Sequence, residues 1–437
     1  MRNSTSDRSA YSGPSETDVT GRLLDGRPEN AFLIGIDGIQ GVDDWPGIES
    51  LGELARLVST AGAAVVGQTL LRIRRPTPAT LIGSGQLREA IAKARSLKAE
   101  LLAVDAELHP RQQRNIENAF KGKVLDRTAI ILDIFASRAN TAEGRLQVER
   151  AQLEYLLPRL SELWVQFSRQ RGGIGPFRGP GETQIETDRR LYRERIATLD
   201  RRIDEVRARR ASRRSRRERT GLLTAALVGY TNAGKSSLLN ALTGSNARVE
   251  NRLFATLDPI TRAVALPGGG SMLLTDTVGF IQRLPTRLVK AFRGTLEEAL
   301  AADVVIHVVD LANKNYNRQI SVVEETLLEI GAGRRPMVTA LNKCDAAGIP
   351  DLHEFPNAVA TSSITGDGLK ELLNRLDEIE RDRSLDIEVE LPYNAGNLAA
   401  LFHDRGHVAF ESFGPNGTRL KGKIPSALVD RFGPYRI

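Results

Sequence analysis

The chain contains 437 residues, too many for one hydrophobic core, so several domains are expected. With 41% hydrophobic and 26% charged residues it has the composition of an ordinary globular protein, and no apolar run approaches the roughly 20 residues that span a bilayer. The net charge of +7 permits nucleic-acid binding without establishing it. The single cysteine, Cys344, excludes an intramolecular disulfide and suits a reducing cytoplasm.

The first 140 residues divide into a polar tail and a folded domain. Residues 1–29 are rich in Ser, Thr, Gly and Arg and lack the apolar segment of an export signal, which predicts a disordered tail. Between residues 30 and 140, short apolar runs such as AFLIGI and AELLAVDA alternate with helical patterns. This alternation predicts an α/β domain with a largely parallel sheet.

Residues 141–218 are predicted to form a long helical hairpin. Large apolar residues recur every seven positions from Leu146 to Phe167, and a second series runs from Tyr192 to Val206 in steps of four and three. Between them, the glycine-rich stretch RQRGGIGPFRGPGET turns the chain back. Pro158 predicts a kink in the first arm.

The second arm is unusually rich in arginine, which favours contact with phosphate backbones. The alternative is a solvated helix with Glu/Arg pairs four residues apart, for which Glu194, Asp204 and Glu205 are available partners. Because aromatic residues are only 5% of the chain, recognition of folded RNA by shape fits better than a single-strand platform. The arginines are Arg189, Arg190, Arg193, Arg195, Arg201, Arg202, Arg207, Arg209, Arg210, Arg213, Arg214, Arg216 and Arg217.

Residues 219–382 return to α/β alternation, and residues 383–437 are predicted to form a small α+β domain. Near the start, the strand LLTAALV runs into a glycine-rich turn followed by an amphipathic helix. Such a turn offers converging N–H groups to a phosphate, and its lysine and serine reach the terminal phosphates and Mg²⁺. The phosphate-loop candidates are Gly229, Tyr230, Thr231, Asn232, Ala233, Gly234, Lys235 and Ser236.

Two segments that follow are candidates for sensing the γ-phosphate. In the first, residues 254–258, a threonine can close over Mg²⁺ when the γ-phosphate is present. Thr256 is preferred for this role over its competitor Thr261. In the second, a strand-end Asp276 can hold a magnesium-bound water and the Gly279 amide can sense the phosphate. Lys235, Thr256 and Gly279 are therefore the predicted catalytic residues, and Ser236 and Thr256 the predicted metal ligands. The segments comprise Phe254, Ala255, Thr256, Leu257, Asp258, and Asp276, Thr277, Val278, Gly279.

A later pair of segments predicts the choice of base. A carboxylate in the sequence NKCD can accept from both the N1–H and the N2 amine of guanine, which adenine does not present together. A backbone loop after the strand NAVA is expected to contact the guanine O6. The candidates are Asn342, Lys343, Cys344, Asp345, and Thr361, Ser362, Ser363.

Two positions bear on the rate of hydrolysis. Phe280 stands where many regulatory GTPases place a water-orienting glutamine, so intrinsic turnover is expected to be slow, on the order of 10⁻³ s⁻¹ or below, until a partner organises the site. Asn232 either helps to hold K⁺ against the phosphates or simply tolerates a positive φ in a tight loop.

Several stretches resemble the HflX family of translation-associated GTPases: RPTPATLIGSGQLREAI, DRTAIILDIFASRANTAEGRLQVERAQLEYLLPRL, GGIGPFRGPGETQIETDRR, GYTNAGKSSLLNALTG, LFATLDPITR and DTVGFIQRLPTRLVKAFRGTLEE. They cover roughly residues 30–380. The chain departs from the family in an apparent extra residue near Pro176 and Phe177, and in TSS where a Ser-Ala pair is usual.

The resemblance implies an N-terminal α/β domain with a helical hairpin, a GTPase domain, GTP as nucleotide and Mg²⁺, with Thr256 as the switch ligand. It also implies binding to the large ribosomal subunit and its RNA, with the hairpin loop directed toward the peptidyl transferase region, and splitting or rescue of stalled ribosomes under stress. The loop's glycines would pass closely between RNA strands, and Arg169, Arg171 and Arg178 would supply charge.

The leading expectation is thus a cytoplasmic, monomeric GTPase that cycles between GTP and GDP, is stimulated by the ribosome and has no membrane span. Two alternatives stay open. One is a GTP-controlled scaffold that binds a protein through its hairpin. The other is an RNA-remodelling NTPase that also uses ATP through its N-terminal domain.

Overall fold

The computed structural model describes residues 27–38, 45–160, 180–218, 221–245, 252–268, 270–283, 298–333 and 335–437. Most of the predicted tail and the tip of the predicted hairpin lie outside these residues. The chain divides into two compact units, Met1–Asp133 and Ile134–Ile437. In the described ranges, no helix has both the length and the apolar character needed to cross a bilayer. The five-part division expected from the sequence stays a prediction.

The first unit contains a four-stranded parallel sheet, as the alternating pattern predicts. Its strands lie in the order β2-β1-β3-β4. Alternate residues of the central strand face opposite layers: Phe32 and Ile34 pack in one core with Leu87 of the second helix, while a Cβ on Gly35 would contact Leu51 of the first. The elements are β1 Asn30–Asp37, α1 Gly47–Thr60, β2 Ala64–Arg72, α2 Ser84–Ser96, β3 Leu101–Val104, α3 Pro110–Phe120, β4 Lys123–Asp126 and α4 Arg127–Arg138, which continues into the second unit.

A buried charge cluster ties the ends of β3 and β4 to α1. The guanidinium of Arg127 donates to Asp105 at 2.9 Å and to Glu53, and Ser50 donates to the other oxygen of Asp105 at 2.5 Å. Arg127 is 2% exposed and Asp105 is fully buried. Removing one partner of such a group would leave an uncompensated buried charge. The cluster therefore joins these elements specifically, at a cost in the free energy of desolvation.

The hairpin follows, and Pro158 interrupts its first arm. Helix α5 spans Ala142–Leu156 and passes into a 3₁₀ turn, Leu157–Arg159, because proline cannot donate to the preceding turn. The second arm is the 39-residue helix α6, Pro180–Glu218. The arms pack on each other.

The buried stripe of the first arm differs from the predicted heptad series. Leu160 of that series is buried, but Leu146 and Leu153 are only half-buried, whereas Val148, Ala151 and Tyr155 are buried. The buried face of this helix is therefore turned away from Leu146 and Leu153 toward Val148, Ala151 and Tyr155. On the second arm, the predicted Leu199 and Ile203 are buried.

Some of the arginines on α6 have acidic partners. Arg195 pairs with Glu149 at 2.6 Å and Arg210 with Glu143 at 2.9 Å, both across the hairpin, and Arg207 pairs with Asp204 at 3.4 Å. The solvated-helix interpretation therefore accounts for part of the charge. Arg190 lies 3.8 Å from Glu194, one turn along the same helix. Arg189 is half-buried, and Arg193, Arg201, Arg202 and Arg209 are exposed.

The next part is a six-stranded sheet in the order β10-β9-β8-β5-β7-β6, parallel except for β6. Because β7 and β8 lie on opposite sides of β5, the crevice at the carboxyl end of β5 is the topological switch point, where such sheets bind ligands. The elements are β5 Leu223–Gly229, α7 Lys235–Thr243, β6 Ile260–Ala265, β7 Ser271–Asp276, β8 Val304–Asp310, α8 Tyr316–Ile330, β9 Met337–Asn342, α9 Cys344–Ala347, β10 Ala358–Thr361 and α10 Leu369–Arg383.

The C-terminal part is a three-stranded antiparallel sheet in the order β11-β13-β12, packed around a core that contains Phe402 and Phe432. Its strands are β11 Ser384–Leu391, β12 His407–Gly414 and β13 Gly417–Pro425, and its helices are α11 Gly396–Arg405 and α12 Val429–Phe432. The mixed α/β multidomain fold and its small α+β appendage are thus confirmed.

Candidate nucleotide-binding site

The phosphate loop joins the end of β5 to the start of α7, and two of its glycines are sterically required. A Cβ on Gly229 would lie 2.2 Å from the carbonyl oxygen of Val308. Gly234 has φ +97°, and its Cβ would lie 2.3 Å from the side-chain nitrogen of Asn342. Neighbouring strands therefore press against the loop and fix its N–H groups at the helix N-terminus, the arrangement that binds phosphate.

Lys235 begins α7 and is 7% exposed. Its Nζ donates to the carbonyls of Gly229 at 3.1 Å and Tyr230 at 2.9 Å. Burial lowers the pKa of Lys235 to about 8, and the nearby Asp276 opposes that shift. Anionic phosphate oxygens beside the ammonium would favour its charged form further.

His307, in the middle of β8, stays neutral near pH 7. Burial, with a smaller contribution from the charge of Lys235, lowers its pKa to about 4. The ring is 1% exposed. His307 is therefore a packed residue of the sheet and no candidate for proton transfer at neutral pH.

Three oxygen-bearing side chains converge beside the loop. Ser236 Oγ donates to Asp276 Oδ2 at 2.6 Å, Thr256 Oγ1 donates to the same oxygen at 3.1 Å, and the two hydroxyls are 2.9 Å apart. Thr261 instead contacts Thr275, with 2.9 Å between their hydroxyls, on β6 and β7. Of the two threonines weighed in the sequence, the structure thus brings Thr256 to the phosphate loop.

The converging oxygens fit Mg²⁺. Asp276 Oδ1 is buried and has no hydrogen-bond partner among the described residues, so the carboxylate keeps acceptor capacity toward the loop. Hydroxyl and carboxylate oxygens are the ligands that Mg²⁺ prefers, and it usually takes few protein ligands beside water and phosphate. Accordingly, no group of three or more His, Cys, Asp or Glu side chains suited to a metal occurs in the ranges searched.

Burial raises the pKa of Asp276, while Lys235 and the hydroxyls of Ser236 and Thr256 act in the opposite direction. A cation at the site would favour the ionised carboxylate further. The charge of Lys235 and the hydrogen bonds from Ser236 and Thr256 therefore act on the same carboxylate.

The segment after β7 packs closely against the phosphate loop. A Cβ on Gly279 would lie 2.8 Å from the Cα of Thr231 and 2.9 Å from Lys235 Nζ. The Phe280 backbone donates to the Gly229 carbonyl at 3.0 Å and accepts from the Thr231 amide at 2.7 Å. The Gly279 position therefore admits only glycine without displacing the loop.

The side chains around Gly279 support the segment from inside. Thr277 donates to the Leu227 carbonyl at 2.6 Å, and Val278 is 6% exposed. The Phe280 ring is 2% exposed, so it packs in the interior and cannot orient an attacking water. The backbone N–H of Gln282 donates to the Tyr230 hydroxyl at 2.8 Å, which anchors this segment to the phosphate loop a second time.

The base-recognition residues are fixed to the phosphate loop. Asn342 donates to the Ala233 carbonyl at 2.9 Å, and its side-chain oxygen accepts from the Ser363 amide at 3.2 Å and hydroxyl at 3.0 Å. Lys343 Nζ bridges the Asn232 carbonyl at 3.0 Å and Asp310 at 2.7 Å. The phosphate loop and the base-recognition residues, far apart in sequence, are thereby held in a fixed position relative to each other.

Asp345 extends from this framework into solvent at the first turn of α9. Its neighbour Cys344 is buried, and burial raises the pKa of that thiol, which therefore stays protonated and unreactive near neutral pH. Thr361 and Ser362 are fully buried, and Ser362 Oγ accepts from the backbone amides of Ile364 at 3.2 Å and Thr365 at 3.1 Å. This fixes the backbone of the base loop.

Asn232 adopts the positive φ that the conformational interpretation of this residue requires. Its φ is +64°, in the left-handed region that asparagine tolerates better than most residues, and its side chain is exposed. The exposed amide also leaves the cation-binding interpretation open.

The first predicted γ-phosphate segment also contacts helices outside the nucleotide site, although Phe254 and Ala255 line the small cavity at the phosphate loop. The Phe254 ring is buried against Phe135, and the Asp258 carboxylate accepts from the start of α5. Leu257 is buried and Ala255 is exposed. Sequence alone predicts nucleotide contact for the whole segment, because no local pattern shows which of its side chains have partners more than a hundred residues away.

A cavity of about 200 Å³ lies at the opposite, amino-terminal end of β5 and is lined by residues such as Thr224, Asp303 and Arg383. A smaller one of about 60 Å³ is lined by the phosphate loop, Thr256 and Gly279. Because parallel sheets bind ligands beyond the carboxyl ends of their strands, the smaller cavity marks the site.

Comparison with protein families agrees with this geometry along most of the chain. Residues 48–136 match the family model described as GTP-binding GTPase N-terminal, residues 138–217 the GTP-binding GTPase Middle Region, and residues 224–343 the 50S ribosome-binding GTPase.

GTPase HflX of Lacrimispora saccharolytica is 44% identical over 383 residues, which is 87% of this chain and 90% of that protein. The chain belongs to the HflX family of GTPases. A second HflX, from Magnetococcus marinus, is 43% identical over 87% of this chain and 89% of its own length. As an HflX-family member with a phosphate-loop domain, the chain binds GTP and GDP and is a GTPase.

Among solved structures, a GTP-binding protein from Sulfolobus solfataricus in complex with GDP is 24% identical, with a TM-score of 0.44. The match covers 81% of this chain and 99% of that one.

Replacing Asp345 with asparagine is expected to change the preferred base. The amide loses one acceptor and gains a donor, which suits the O2 carbonyl of xanthine in place of the guanine N2 amine. Losing a charge-assisted hydrogen bond of about 1.5–3 kcal/mol lowers GTP affinity roughly tenfold or more, and XTP affinity rises. Titration calorimetry with both nucleotides measures this, with Glu371→Gln, an exposed acid of α10, as control. Unchanged GTP binding in Asp345→Asn would contradict the assignment.

Proposed function

We propose that this chain is a Mg²⁺-dependent GTPase with slow intrinsic turnover, that its GTP-bound form docks on the large ribosomal subunit, and that it splits or rescues stalled ribosomes. The observation that carries the proposal is the convergence of Ser236, Thr256 and Asp276 beside a phosphate loop, within a chain whose exposed helical hairpin carries arginines. The family description as a 50S ribosome-binding GTPase supports the partner.

In the proposed site, Lys235 binds the β- and γ-phosphate oxygens and the loop amides hold the rest of the phosphate chain. Ser236 and Thr256 would hold Mg²⁺, and Asp276 would orient its water shell. The bound Mg²⁺ would neutralise charge on the terminal phosphates. The Gly279 amide would contact the γ-phosphate, and Asp345 would select guanine. Thr256 then reports the nucleotide, because its contact depends on the γ-phosphate.

The buried Phe280 explains why a partner is needed. A hydrolytic water must be oriented in line with the γ-phosphate, and the residue that does so in many GTPases is replaced here by an interior ring. A group supplied by a partner can raise such rates by about 10³ to 10⁵. We therefore propose that docking on ribosomal RNA completes the site.

The hairpin is the proposed docking element. Arg193, Arg201 and Arg202 of α6 are exposed and have no acidic partner among the described residues, so positive charge is available for phosphate contacts. The tip loop proposed to enter the RNA lies outside the described residues. A scaffold that binds a protein through the hairpin is the alternative, since some of the arginines already form ion pairs. These are Arg190, Arg195, Arg207 and Arg210.

Salt-dependent cosedimentation with purified large ribosomal subunits tests the partner. The full chain with a GTP analogue is expected to bind. The triple variant Arg193→Gln, Arg201→Gln, Arg202→Gln is expected to bind more weakly. The dependence of its log affinity on log salt concentration should become less steep by about one for each arginine–phosphate interaction that is removed. The matched control replaces three exposed arginines of the first unit, Arg56, Arg88 and Arg111. Ribosome-stimulated GTP turnover should fall in parallel.

Absence of binding in every nucleotide state would reject the ribosomal proposal and favour the scaffold. ATP turnover that survives Lys235→Ala would favour the RNA-remodelling alternative, because that substitution removes the cation of the described phosphate loop.

We also propose that Asn232 helps to hold K⁺ against the phosphates. GTP turnover should then be faster in K⁺ than in Na⁺ for the unchanged chain, and Asn232→Ala should remove the difference. Asn232→Gly is the control, since glycine keeps the positive φ and lacks the amide. Equal rates in both salts for all three proteins would leave only the conformational role of Asn232.

A further inference from the structure

Asp258 contacts the beginning of the hairpin. Its Oδ2 accepts from the backbone amides of Asn140 at 3.0 Å and Thr141 at 2.8 Å, and its Oδ1 accepts from the Thr141 hydroxyl. Thr141 is itself the N-cap of α5, with its hydroxyl accepting from the Gly144 amide at 3.0 Å. A carboxylate at this position satisfies free N–H groups and complements the helix dipole.

A second contact lies at the other end of the same segment. The rings of Phe254 and Phe135 pack edge to face with their centroids 4.6 Å apart, and both are buried. Phe254 has φ +55°, a conformation that costs a bulky residue about 1–3 kcal/mol and persists only where the surroundings impose it. The aromatic contact is the visible compensation for that strain.

Thr256 lies midway between these two contacts. Phe254 and Asp258 are each two residues from it, about 7 Å of extended chain. With both flanks fixed to the helices at the base of the hairpin, the Thr256 hydroxyl has little freedom and lies 2.9 Å from Ser236 Oγ and 3.1 Å from Asp276 Oδ2. The contacts therefore hold Thr256 in place instead of drawing it away.

We infer that Asp258 is a positioning residue: by accepting hydrogen bonds from Asn140 and Thr141, it holds Thr256 at the nucleotide site and couples residues 254–258, the switch segment, to the first arm of the hairpin. This rests on the proposed role of Thr256. Since Thr141 caps α5, a displacement of that arm moves Asp258 and with it the switch segment. Binding energy at the hairpin is thereby linked to the GTP state, and the linkage is reciprocal.

Gly144 offers a way to break the contact without removing either partner. A Cβ at this position would lie 2.5 Å from Asp258 Oδ1 and 3.1 Å from the Thr141 hydroxyl. Alanine is otherwise favoured in a helix. Gly144→Ala should thus displace the carboxylate while leaving both residues and the fold of α5 intact.

The test compares how fast the full chain releases a fluorescent GTP analogue and fluorescent GDP in Mg²⁺. Asp258→Ala is expected to speed release of the triphosphate on the order of tenfold, the loss of about one charge-assisted hydrogen bond, and to leave GDP release nearly unchanged. Asp258→Asn, which keeps one acceptor oxygen, should be intermediate. Gly144→Ala should reproduce Asp258→Ala, and the double variant should be no worse than Asp258→Ala alone, because the displaced group is already absent.

Glu149→Ala is the matched control, because it breaks the ion pair with Arg195 between the hairpin arms and leaves the Asp258 contact intact. It should release both nucleotides at the unchanged rate. Thr256→Ala separates the two proposals. If it does not speed triphosphate release, the proposed role of Thr256 fails. If it does while Asp258→Ala and Gly144→Ala release GTP and GDP normally, or release both faster to the same extent, the positioning role of Asp258 is overturned. Tighter triphosphate binding in Asp258→Ala would overturn it as well.

Discussion

The nucleotide site depends on one buried carboxylate. Asp276 ends β7 beside the phosphate loop, is fully buried, and accepts hydroxyl hydrogen bonds from Ser236 and Thr256 through a single oxygen. A buried carboxylate is costly unless its charge is compensated, and Lys235 and the two hydroxyls provide that compensation. The same residues that bind phosphate and metal in the proposed mechanism thus also stabilise the protein. Nucleotide binding and the conformation of the switch segment are inseparable for this reason.

The sheet order places these residues together. Since β7 and β8 flank β5, the loops after β5 and β7 meet at one edge, and Phe280 exchanges backbone hydrogen bonds with the phosphate loop there. Lys343 and Asn342 bring the base-recognition residues to the same loop. Thr256, the segment after β7 and the end of β9 therefore all contact the phosphate loop, and the base loop is joined to it through Asn342.

A feature could be predicted from the sequence when the residues that form it lie close together along the chain. The phosphate loop was predictable, because its glycines, Lys235 and Ser236 are consecutive and their conformation is set by neighbouring atoms. The contact of Asp258 with Thr141 was not, because 117 residues separate them and no periodic pattern links them. The buried cluster around Arg127 could not be foreseen for the same reason. On the first arm of the hairpin, the leucine spacing correctly predicts a helix, but the buried face includes Val148, Ala151 and Tyr155, while Leu146 and Leu153 are only half-buried.

The central claim is that Ser236 and Thr256 play different parts around one cation, Thr256 only when a γ-phosphate is present. Electron paramagnetic resonance with Mn²⁺ in place of Mg²⁺ measures the affinity of the cation for the chain in its GDP and GTP-analogue complexes. The account predicts that Ser236→Ala weakens Mn²⁺ binding in both complexes and that Thr256→Ala weakens it only in the triphosphate complex. Equal Mn²⁺ affinity for Thr256→Ala and the unchanged chain in the triphosphate complex would contradict it.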